Sequence, residues 1–344
     1  MDAELPNVPV FDLRRGGMSR HVVERRAQVL ALREACIDWL PAGALVARLG
    51  DPLARNWLGR TGSPLVSEIG AVVDATGCSG IWLLHGAYAF GCTAFVDESE
   101  RGPVLKRTLD WPFPRLGQLV EIAEQDGPAG DYLNVTWPGF SGVLTAVAPG
   151  RFAASINQAP MRHRTKIDAL RWVDYAFNAV GAFCSSGRVP PEHLLRHVFE
   201  TCATFDEALH LLETTPLARP VLFTLVGCRP GERAVVERDG EATRTWRDET
   251  AVANAWRNLT AGWRPRVAGT GLPNENNVQR RAAMLAADHS SCFGWAKPPI
   301  VNACTRLTVE MCPNDGHLAV AGWEADGTGS ARRVTAITET VRTR

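Results

Sequence analysis

The order of helical and extended segments restricts the fold of this chain more than any other feature. Apolar residues at helical spacing predict helices over residues 21–40, 64–76, 80–90, 171–183 and 191–212. Short apolar or alternating runs, closed by turn residues, predict strands within residues 92–111, 119–125, 132–157, 221–227, 233–240, 251–256, 307–312 and 318–324. This order of helices, strands, helices and strands favours two antiparallel sheets covered by helices over a parallel, doubly wound sheet.

Charge and hydropathy exclude two classes of partner. The 344 residues carry 37 basic and 37 acidic side chains, so the formal net charge is zero. Because no basic field would attract a polyanion, nucleic acid is not an expected partner. The longest apolar stretch, residues 80–96, contains His85 and three glycines and is too short to span a bilayer comfortably. We therefore expect no integral membrane segment.

The cysteines and the first residues indicate where the protein is located in the cell. Nine scattered cysteines without a CxxC pair predict buried, reduced thiols rather than a disulfide framework. The first 17 residues lack the basic start and apolar core of a secretion signal. We expect a soluble, cytoplasmic protein.

His193 and His197 form an HxxxH pattern, but no glutamate follows the first histidine, so no metal site is predicted.

One cysteine stands in a context that suggests chemistry. Cys92 directly follows Gly91, at the junction between an apolar helical run and the first predicted strand. If this peptide bond is strained, the thiol can attack the Gly91 carbonyl, and water can then release a chain that begins at Cys92. Its free α-amine, with a pKa of about 7.7–8.0, can serve as a base for its own thiol. The alternative interpretation is a buried structural cysteine.

The residues after Cys92 follow in an order found in a known family. Arg107 and Asp110 come 15 and 18 positions later, on the next strand if residues 97–103 form a turn. The segments PGFSGVLTAVAPGRFAASIN and AVANAW and an Arg-Arg pair follow in turn. From about Asp51 onwards the sequence resembles the N-terminal-nucleophile linear amide hydrolases. This group includes acid ceramidase, N-acylethanolamine acid amidase, bile salt hydrolase, penicillin V acylase and isopenicillin-N acyltransferase.

The resemblance is strongest to the acid ceramidase branch. A long segment precedes Cys92, and residues 138–145 match that branch's PG-x-x-G-x-LT pattern. The resemblance implies an α+β fold, the αββα four-layer sandwich of two antiparallel sheets flanked by helices. It divides the chain into a helical precursor segment, residues 1–91, and a catalytic unit, residues 92–344. These would become the two subunits of one precursor after a cut between Gly91 and Cys92. No cofactor and no metal are implied.

The resemblance also assigns roles to single residues. Cys92 matches the nucleophile, and Arg107 and Asp110 match the family's R-x-x-D. Arg107 would then bias the thiol toward thiolate by its charge, and Asp110 would accept a hydrogen bond from the α-amine of Cys92. Asn254 matches the asparagine that donates to the tetrahedral oxyanion.

The arginine downstream of that asparagine is Arg280 or its neighbour Arg281. The 26 positions between Asn254 and Arg280 exceed what the acid ceramidase branch leads us to expect. Residues 269–277, GTGLPNENN, are expected to form a flexible loop within this insertion.

Two further positions belong to the same predicted site. Asn157 falls in the segment that closes it, and Gln158 stands where the acid ceramidase branch has a glutamate. Because a neutral amide cannot supply charge, the rate or pH dependence of cleavage is expected to differ. The acyl pocket should be apolar. Four aromatic residues could line it or could equally belong to the core: Trp111, Phe113, Trp137 and Phe140.

These expectations predict an autoprocessed hydrolase of linear amide C–N bonds. Its partner would be a small-molecule amide with an apolar acyl group, with an N-acyl fatty amide as the leading class, and the acyl group would pass through a thioester on Cys92. Two alternatives stay open: an acyltransferase, in which an amine replaces water at the same thioester, and an uncleaved binding protein with Cys92 buried. The sequence also leaves a homo-oligomer possible.

Overall fold

The computed structural model describes residues 4–86, 90–165, 167, 170–183, 187–248, 250–258 and 260–342. Within these residues, two large sheets pack face to face, with β2 (Gly91–Ser99) and β3 (Gly102–Asp110) of one sheet against β7 (Phe152–Gln158) and β9 (Val221–Val226) of the other. Helices α7 (Pro191–Thr201) and α8 (Phe205–Thr214) cover the outer face of the sheet that contains β7 and β9, and α9 (Pro273–Ala286) packs against the sheet that contains β2. The predicted α+β sandwich of two sheets flanked by helices is therefore confirmed.

The segment before Gly91 is mainly helical. Its elements are β1 (Val10–Asp12), α1 (Gly17–Glu24), α2 (Arg26–Ile37), α3 (Gly43–Gly59), α4 (Leu65–Thr76) and α5 (Ile81–Gly86). The single helix predicted over residues 21–40 is two helices, divided at Arg25. Helix α3 was not predicted, and it contains Pro52. Helix α4 begins one residue after its predicted start and ends at Thr76 as predicted, and Gly77 ends it in the left-handed conformation.

The middle of the chain contributes strands to both large sheets. Its elements are β2 (Gly91–Ser99), β3 (Gly102–Asp110), a 3₁₀ turn (Leu116–Gln118), β4 (Glu121–Gln125), β5 (Tyr132–Thr136), β6 (Thr145–Ala148), β7 (Phe152–Gln158) and β8 (Met161–Arg162). Three helices follow: α6 (Arg171–Phe183), α7 (Pro191–Thr201) and α8 (Phe205–Thr214). Proline at the first position starts α7, and the Thr204 hydroxyl caps α8 by accepting from the Glu207 N–H.

Strands dominate the last third of the chain. They are β9 (Val221–Val226), β10 (Arg233–Arg238), β11 (Thr243–Trp246), β12 (Ala251–Val252), β13 (Trp263–Arg264), β14 (Thr305–Cys312), β15 (His317–Ala325), β16 (Ala331–Arg333) and β17 (Thr338–Val341), with helix α9 (Pro273–Ala286) before β14. The strands predicted within residues 307–312 and 318–324 are present as β14 and β15, and they pair with each other as an antiparallel hairpin. The strand predicted over residues 251–256 ends at Val252, so Asn254 lies in the following turn.

The strand order explains how the two halves of the chain combine. Among the described residues, the eight-stranded sheet has the order β1-β4-β5-β6-β7-β9-β10-β11. The seven-stranded sheet has the order β12-β2-β3-β14-β15-β16, with β17 also paired to β15. Pairing is antiparallel throughout these sheets except for β1 with β4, which is parallel. A small third sheet joins β8 to β13.

The main hydrophobic core fills the space between the two sheets. It joins Leu105, Leu109 and Val309 of the seven-stranded sheet to Ile156 and Phe223 of the eight-stranded sheet. Cys92 belongs to the same cluster. No helix in the described part of the chain combines the length and apolarity needed to cross a lipid bilayer.

Free thiols are found at every cysteine that the structure describes. The expectation that they are buried is wrong for Cys292, which is exposed.

The segment before Gly91 is built into the rest of the fold. Strand β1 extends the edge of the eight-stranded sheet by pairing with β4. His21 Nε2 lies 2.6 Å from the buried Glu121 Oε1, and Arg196 forms an ion pair with Glu68 at 2.6 Å. At the end of α5, the Gly86 carbonyl accepts from Arg219 Nη1 at 2.9 Å. Sheet pairing, buried polar contacts and shared core therefore hold this segment without the covalent link at Gly91.

We expect the two pieces of a chain cut after Gly91 to remain together in native buffer. Burial of shared apolar surface and the extra strand stabilise the association independently of one peptide bond. Gel filtration with mass detection should give one particle with the mass of the uncut chain, whereas a denaturing gel should resolve two bands. Uncut Cys92→Ala serves as the elution standard. Release of the smaller piece without denaturant would contradict this expectation.

Candidate active site

Cys92 lies in the interior of the seven-stranded sheet. It is the second residue of β2, and its side chain is completely buried. The pairing of β2 with β3 places Gly91 opposite Asp110 and Ala94 opposite Arg107. The turn between these strands therefore brings both predicted partners of Cys92 onto the adjacent strand, as the sequence spacing indicates.

Arg107 contacts the sulfur of Cys92 directly. Its Nη2 donates to Sγ at 2.7 Å, and its Nη1 donates to the Leu144 carbonyl at 2.9 Å and to Thr145 Oγ1 at 2.5 Å. The guanidinium is therefore held in one orientation by β6 and the residue before it. Burial raises the pKa of the Cys92 thiol to about 11, although the charge of Arg107 acts in the opposite direction. In this continuous chain the group is a protonated thiol at neutral pH.

The backbone of Cys92 has two side-chain partners of its own. Its N–H donates to Asn254 Oδ1 at 2.8 Å, and its carbonyl accepts from Arg280 Nη1 at 2.5 Å. Asn254 Nδ2 donates to the Gln158 carbonyl at 2.8 Å. Exchanging the oxygen and nitrogen of the Asn254 amide would set donor against donor at Cys92, so this orientation is determined by its surroundings. An amide nitrogen carries two hydrogens, and the second remains for another acceptor.

Asp110 lies beside Gly91 rather than on the nitrogen of Cys92. Its Oδ1 accepts from Thr305 Oγ1 at 2.8 Å, and its Oδ2 lies 3.8 Å from Arg280 Nη1. Burial raises the pKa of the Asp110 carboxyl above its ordinary value, while the charge of Arg280 opposes this. In the continuous chain, the backbone N–H of Cys92 donates to Asn254. The contact of Asp110 with the α-amine of a chain cut at Gly91 stays a prediction.

Of the two adjacent arginines, Arg280 is the one at Cys92. It is fully buried, and it donates to Thr93 Oγ1 at 2.9 Å and to Asn254 Oδ1 at 3.1 Å in addition to the Cys92 carbonyl. Arg281 is half-buried on a different side of the helix. The expectation of a flexible loop over residues 269–277 is wrong for its second half. Helix α9 begins at Pro273, a residue suited to the first helical position.

Asn157 and Gln158 end β7 next to the same site. Asn157 is fully buried and its Nδ2 donates to the Ala253 carbonyl at 3.1 Å, while its Oδ1 accepts no hydrogen bond from the described residues. Gln158 Oε1 accepts from the Phe90 N–H at 2.8 Å. Gln158 therefore connects Phe90 to Asn254, because its carbonyl accepts from Asn254 Nδ2.

The predicted pocket aromatics are packed into the core. Trp111 contacts Trp137, with ring centroids 5.0 Å apart, and Phe113 at 6.2 Å. Phe90, which precedes Gly91, lies edge-on against Trp111 at 5.7 Å. Phe140 stacks on His85, with ring centroids 5.6 Å apart. All four predicted residues are at most 9% exposed.

Open clefts occur elsewhere on the molecule. One of about 690 Å³ runs along α3, and another of about 290 Å³ lies beside β1 and α1. Cys92 lines neither of them. In this continuous chain the thiol is enclosed by the core, and a substrate needs a rearrangement to reach it.

Several polar contacts at the site were not predicted. The hydroxyls of Thr93, Thr108 and Thr305 surround the two charged groups, and Thr108 Oγ1 donates to Asp110 at 3.5 Å. Threonines are common in strands, so nothing in their pattern singles them out. Asn276 and Asn277 in the first turn of α9 both contact Arg280. The proline at the first helical position is the signal that could have placed them on a helix.

Comparison with curated proteins gives two groups of relatives. The chain is 25% identical over 172 residues to N-acylethanolamine-hydrolyzing acid amidase from Caenorhabditis elegans, covering 49% of this chain and 45% of that protein. It is 28% identical over 184 residues to the Mus musculus protein of the same name, covering 51% and 47%. It is 24% identical over 225 residues to Mus musculus acid ceramidase, covering 58% and 54%. The chain spans about half the length of the curated relatives it matches.

A solved structure shares the fold. It is that of the Caenorhabditis elegans N-acylethanolamine-hydrolyzing acid amidase ortholog, with a TM-score of 0.50 and 18% identity over 64% of this chain and 93% of that one. The homologues are N-terminal-nucleophile hydrolases. No protein-family model matches the chain. The resemblance drawn from the ordered residues after Cys92 is thus confirmed.

The residue before Cys92 has no room for a side chain. A Cβ added to Gly91 would lie 2.5 Å from Ala268 Cβ, well inside van der Waals contact. We expect Gly91→Ala, made in an uncut Cys92→Ala chain, to lower the free energy of unfolding by about 1–3 kcal/mol. Adding Ala268→Gly should recover most of this loss, because it removes the methyl group that clashes.

Urea unfolding of all four chains of this double-mutant cycle measures the coupling. Simple additivity of the two substitutions would show that Ala268 does not restrict position 91.

Proposed function

We propose that this protein cuts its own chain between Gly91 and Cys92 and then hydrolyses a linear amide bond in a small N-acyl amide. The observation that carries the proposal is the set of hydrogen bonds around Cys92. Arg107 donates to its sulfur, Asn254 accepts from its backbone N–H, and Arg280 donates to its carbonyl. The names of the curated relatives, which include an N-acylethanolamine-hydrolyzing acid amidase, support the amide class.

The cut would begin with attack of the Cys92 thiol on the Gly91 carbonyl. The new C–S bond forms as the C–N bond breaks, and the thiol proton passes to the departing nitrogen, so the product is a thioester with a free amine. Water then hydrolyses the thioester and leaves a carboxylate on Gly91 and a thiol on Cys92. Arg107, 2.7 Å from the sulfur, would stabilise the negative charge that develops there.

The released amine would become the base for turnover. One of its hydrogens can keep the contact with Asn254 Oδ1, and another can reach toward the Asp110 carboxyl across the strand pair. A neutral amine with a pKa of about 7.7–8.0 can take the thiol proton as the sulfur attacks the substrate carbonyl.

The tetrahedral intermediate needs a donor for its oxyanion. Asn254 Nδ2 carries two hydrogens, and it donates one of them to the Gln158 carbonyl. The same side chain accepts from the Cys92 N–H through its Oδ1, so the second hydrogen lies close to the reacting residue. We assign this hydrogen to the oxyanion. The substrate amine then leaves with the proton, and water releases the acid from the Cys92 thioester.

The acyl group would bind among the buried aromatics. Phe90 packs on Trp111 in the continuous chain and immediately precedes Gly91. Movement of Phe90 after the cut would uncover Trp111 and the rings next to it, Trp137 and Phe113, which suit an apolar chain. This supports a substrate with a fatty acyl group.

The self-cleavage step is tested with the wild-type chain and two variants. We expect wild type to yield fragments of about 10 and 27 kDa, in proportion to the 37.4 kDa of the whole chain. Cys92→Ala lacks a nucleophile and should stay uncut and inactive, whereas Cys92→Ser can perform the same shift slowly and should be cut in part. Denaturing gels after incubation at acidic and neutral pH, with intact mass, give the readout.

A wild-type chain that stays whole and still hydrolyses N-acyl amides would contradict the amine-base mechanism. Full turnover by Cys92→Ala would show that Cys92 is only a core residue.

The oxyanion donor is tested with Asn254→Ala. Loss of the amide donor should lower turnover by about 100- to 1,000-fold, because the contact is made in the transition state. The Michaelis constant should change much less. Rates are expressed per mole of cut chain, since the same residue can also act in the cut.

Asn258→Ala, at an exposed position a few residues later, is the matched control and should match wild type. If Asn254→Ala keeps turnover within about threefold of wild type, the residue is a structural asparagine and not the donor.

A further inference from the structure

Two adjacent asparagines occupy an unusual position in helix α9. Asn276 and Asn277 are both buried, at 8% and 1% exposure, at the end of the first turn of the helix, whereas Asn274 and Glu275 just before them are exposed. Asparagine is a weak helix former, because its amide competes for backbone groups. Its burial here requires that the amide bonds elsewhere.

Asn277 connects the two groups that hold Cys92. Its Oδ1 accepts from the Asn254 N–H at 2.6 Å and from Arg280 Nη2 at 3.0 Å. Its Nδ2 donates to the carbonyls of Arg266 and Pro273, both at 2.7 Å. Two accepted and two donated bonds use the full capacity of the side chain, so its position and orientation are fixed.

Asn276 makes the same number of contacts on the other side. Its Oδ1 accepts from Arg280 Nε at 3.0 Å and from the Ala268 N–H at 3.3 Å. Its Nδ2 donates to the carbonyls of Ala268 and Thr270 at 2.9 and 3.0 Å. Ala268 is thereby bonded at both its N–H and its carbonyl, and it is the residue packed against the α-carbon of Gly91.

We propose that Asn276 and Asn277 are positioning residues for the reaction, with Asn277 aligning Asn254 and Arg280 on Cys92, and Asn276 holding Ala268 against Gly91. This inference rests on the proposed function of the site. Neither asparagine bonds a reacting atom. Asn277 acts through Asn254, which accepts from the Cys92 N–H, and Asn276 acts through Ala268, which packs against Gly91. Asn277 therefore serves turnover, and Asn276 chiefly serves the cut, because the contact with Gly91 matters only while the peptide bond is intact.

The test compares Asn277→Ala, Asn277→Asp and Asn276→Ala with Asn274→Ala in the full chain. Asn274 is an exposed asparagine of the same helix and should match wild type within about twofold. The readouts are the rate of the cut, kcat and KM per mole of cut chain on an N-acyl amide, and thermal unfolding.

Asn277→Ala should lower kcat by at least about tenfold with KM within about threefold, because misaligned donors act on the transition state. Asn276→Ala should slow the cut by at least about tenfold and reduce kcat less.

Asn277→Asp separates alignment from stability. The aspartate keeps the oxygen that accepts from Asn254 and Arg280, so kcat should recover in part relative to the alanine variant. Its added negative charge favours the protonated form of the Cys92 α-amine and raises the pKa of that amine. Because the neutral amine is the base, the acid limb of kcat/KM should move to higher pH. This variant also provides the test if Asn277→Ala does not fold.

The outcomes distinguish this inference from the proposed function. If wild type is neither cut nor active, the proposed function and this inference are both wrong. The second outcome is a wild type that is cut and active, with variants that only lower the unfolding temperature. In that case kcat, the rate of the cut and the pH dependence of kcat/KM would equal those of Asn274→Ala. The asparagines would then be structural, and only this inference would be overturned.

Discussion

The buried guanidinium of Arg280 is the group on which the site depends. A charged group without water is stable only when its donors are paired with good geometry. Arg280 meets this condition with the Cys92 carbonyl, Thr93, Asn254 and the two asparagines of α9, and it faces the carboxyl of Asp110. The planar fork of arginine can serve several acceptors in fixed directions, which a lysine ammonium cannot do in the same way. Helix α9, strand β2 and the turn at Asn254 therefore share one electrostatic centre.

The segment before Gly91 is part of the same structure rather than an appended leader. It supplies an edge strand, core side chains and buried polar partners to the body of the protein. Phe90 contacts both Gln158 and Trp111, so the last residue before Gly91 bonds to the end of β7 and packs against the aromatic cluster. A cut after Gly91 would therefore leave Phe90 and Gly91 as a chain end beside Gln158 and Trp111.

The sequence predicts features that depend on local periodicity and misses those that depend on packing. The strand-turn-strand pattern after Cys92 correctly places Arg107 and Asp110 beside it, because register follows from a short turn. Helix α3 was missed because Gly50 and Pro52 interrupt its pattern. The start of α9 was missed because glycines, a proline and asparagines are also typical of loops. Aromatic side chains that line an apolar pocket and those that fill a core have the same polarity and similar spacing in the sequence. The sequence alone therefore cannot show whether Trp111 binds a ligand or packs in the core.

The position of Cys92 within its strand has a consequence for a chain that would begin there. Chain ends usually fray, and exopeptidases and acetylating enzymes require a few extended residues at a free terminus. Strand β2 is paired on one side with β3 from Gly91 onwards and with β12 on the other, inside a sheet that a second sheet covers. A terminus at Cys92 would therefore be anchored by strand pairing from its first residue. Its amine would be shielded from trimming and acetylation by the same packing that sets its geometry.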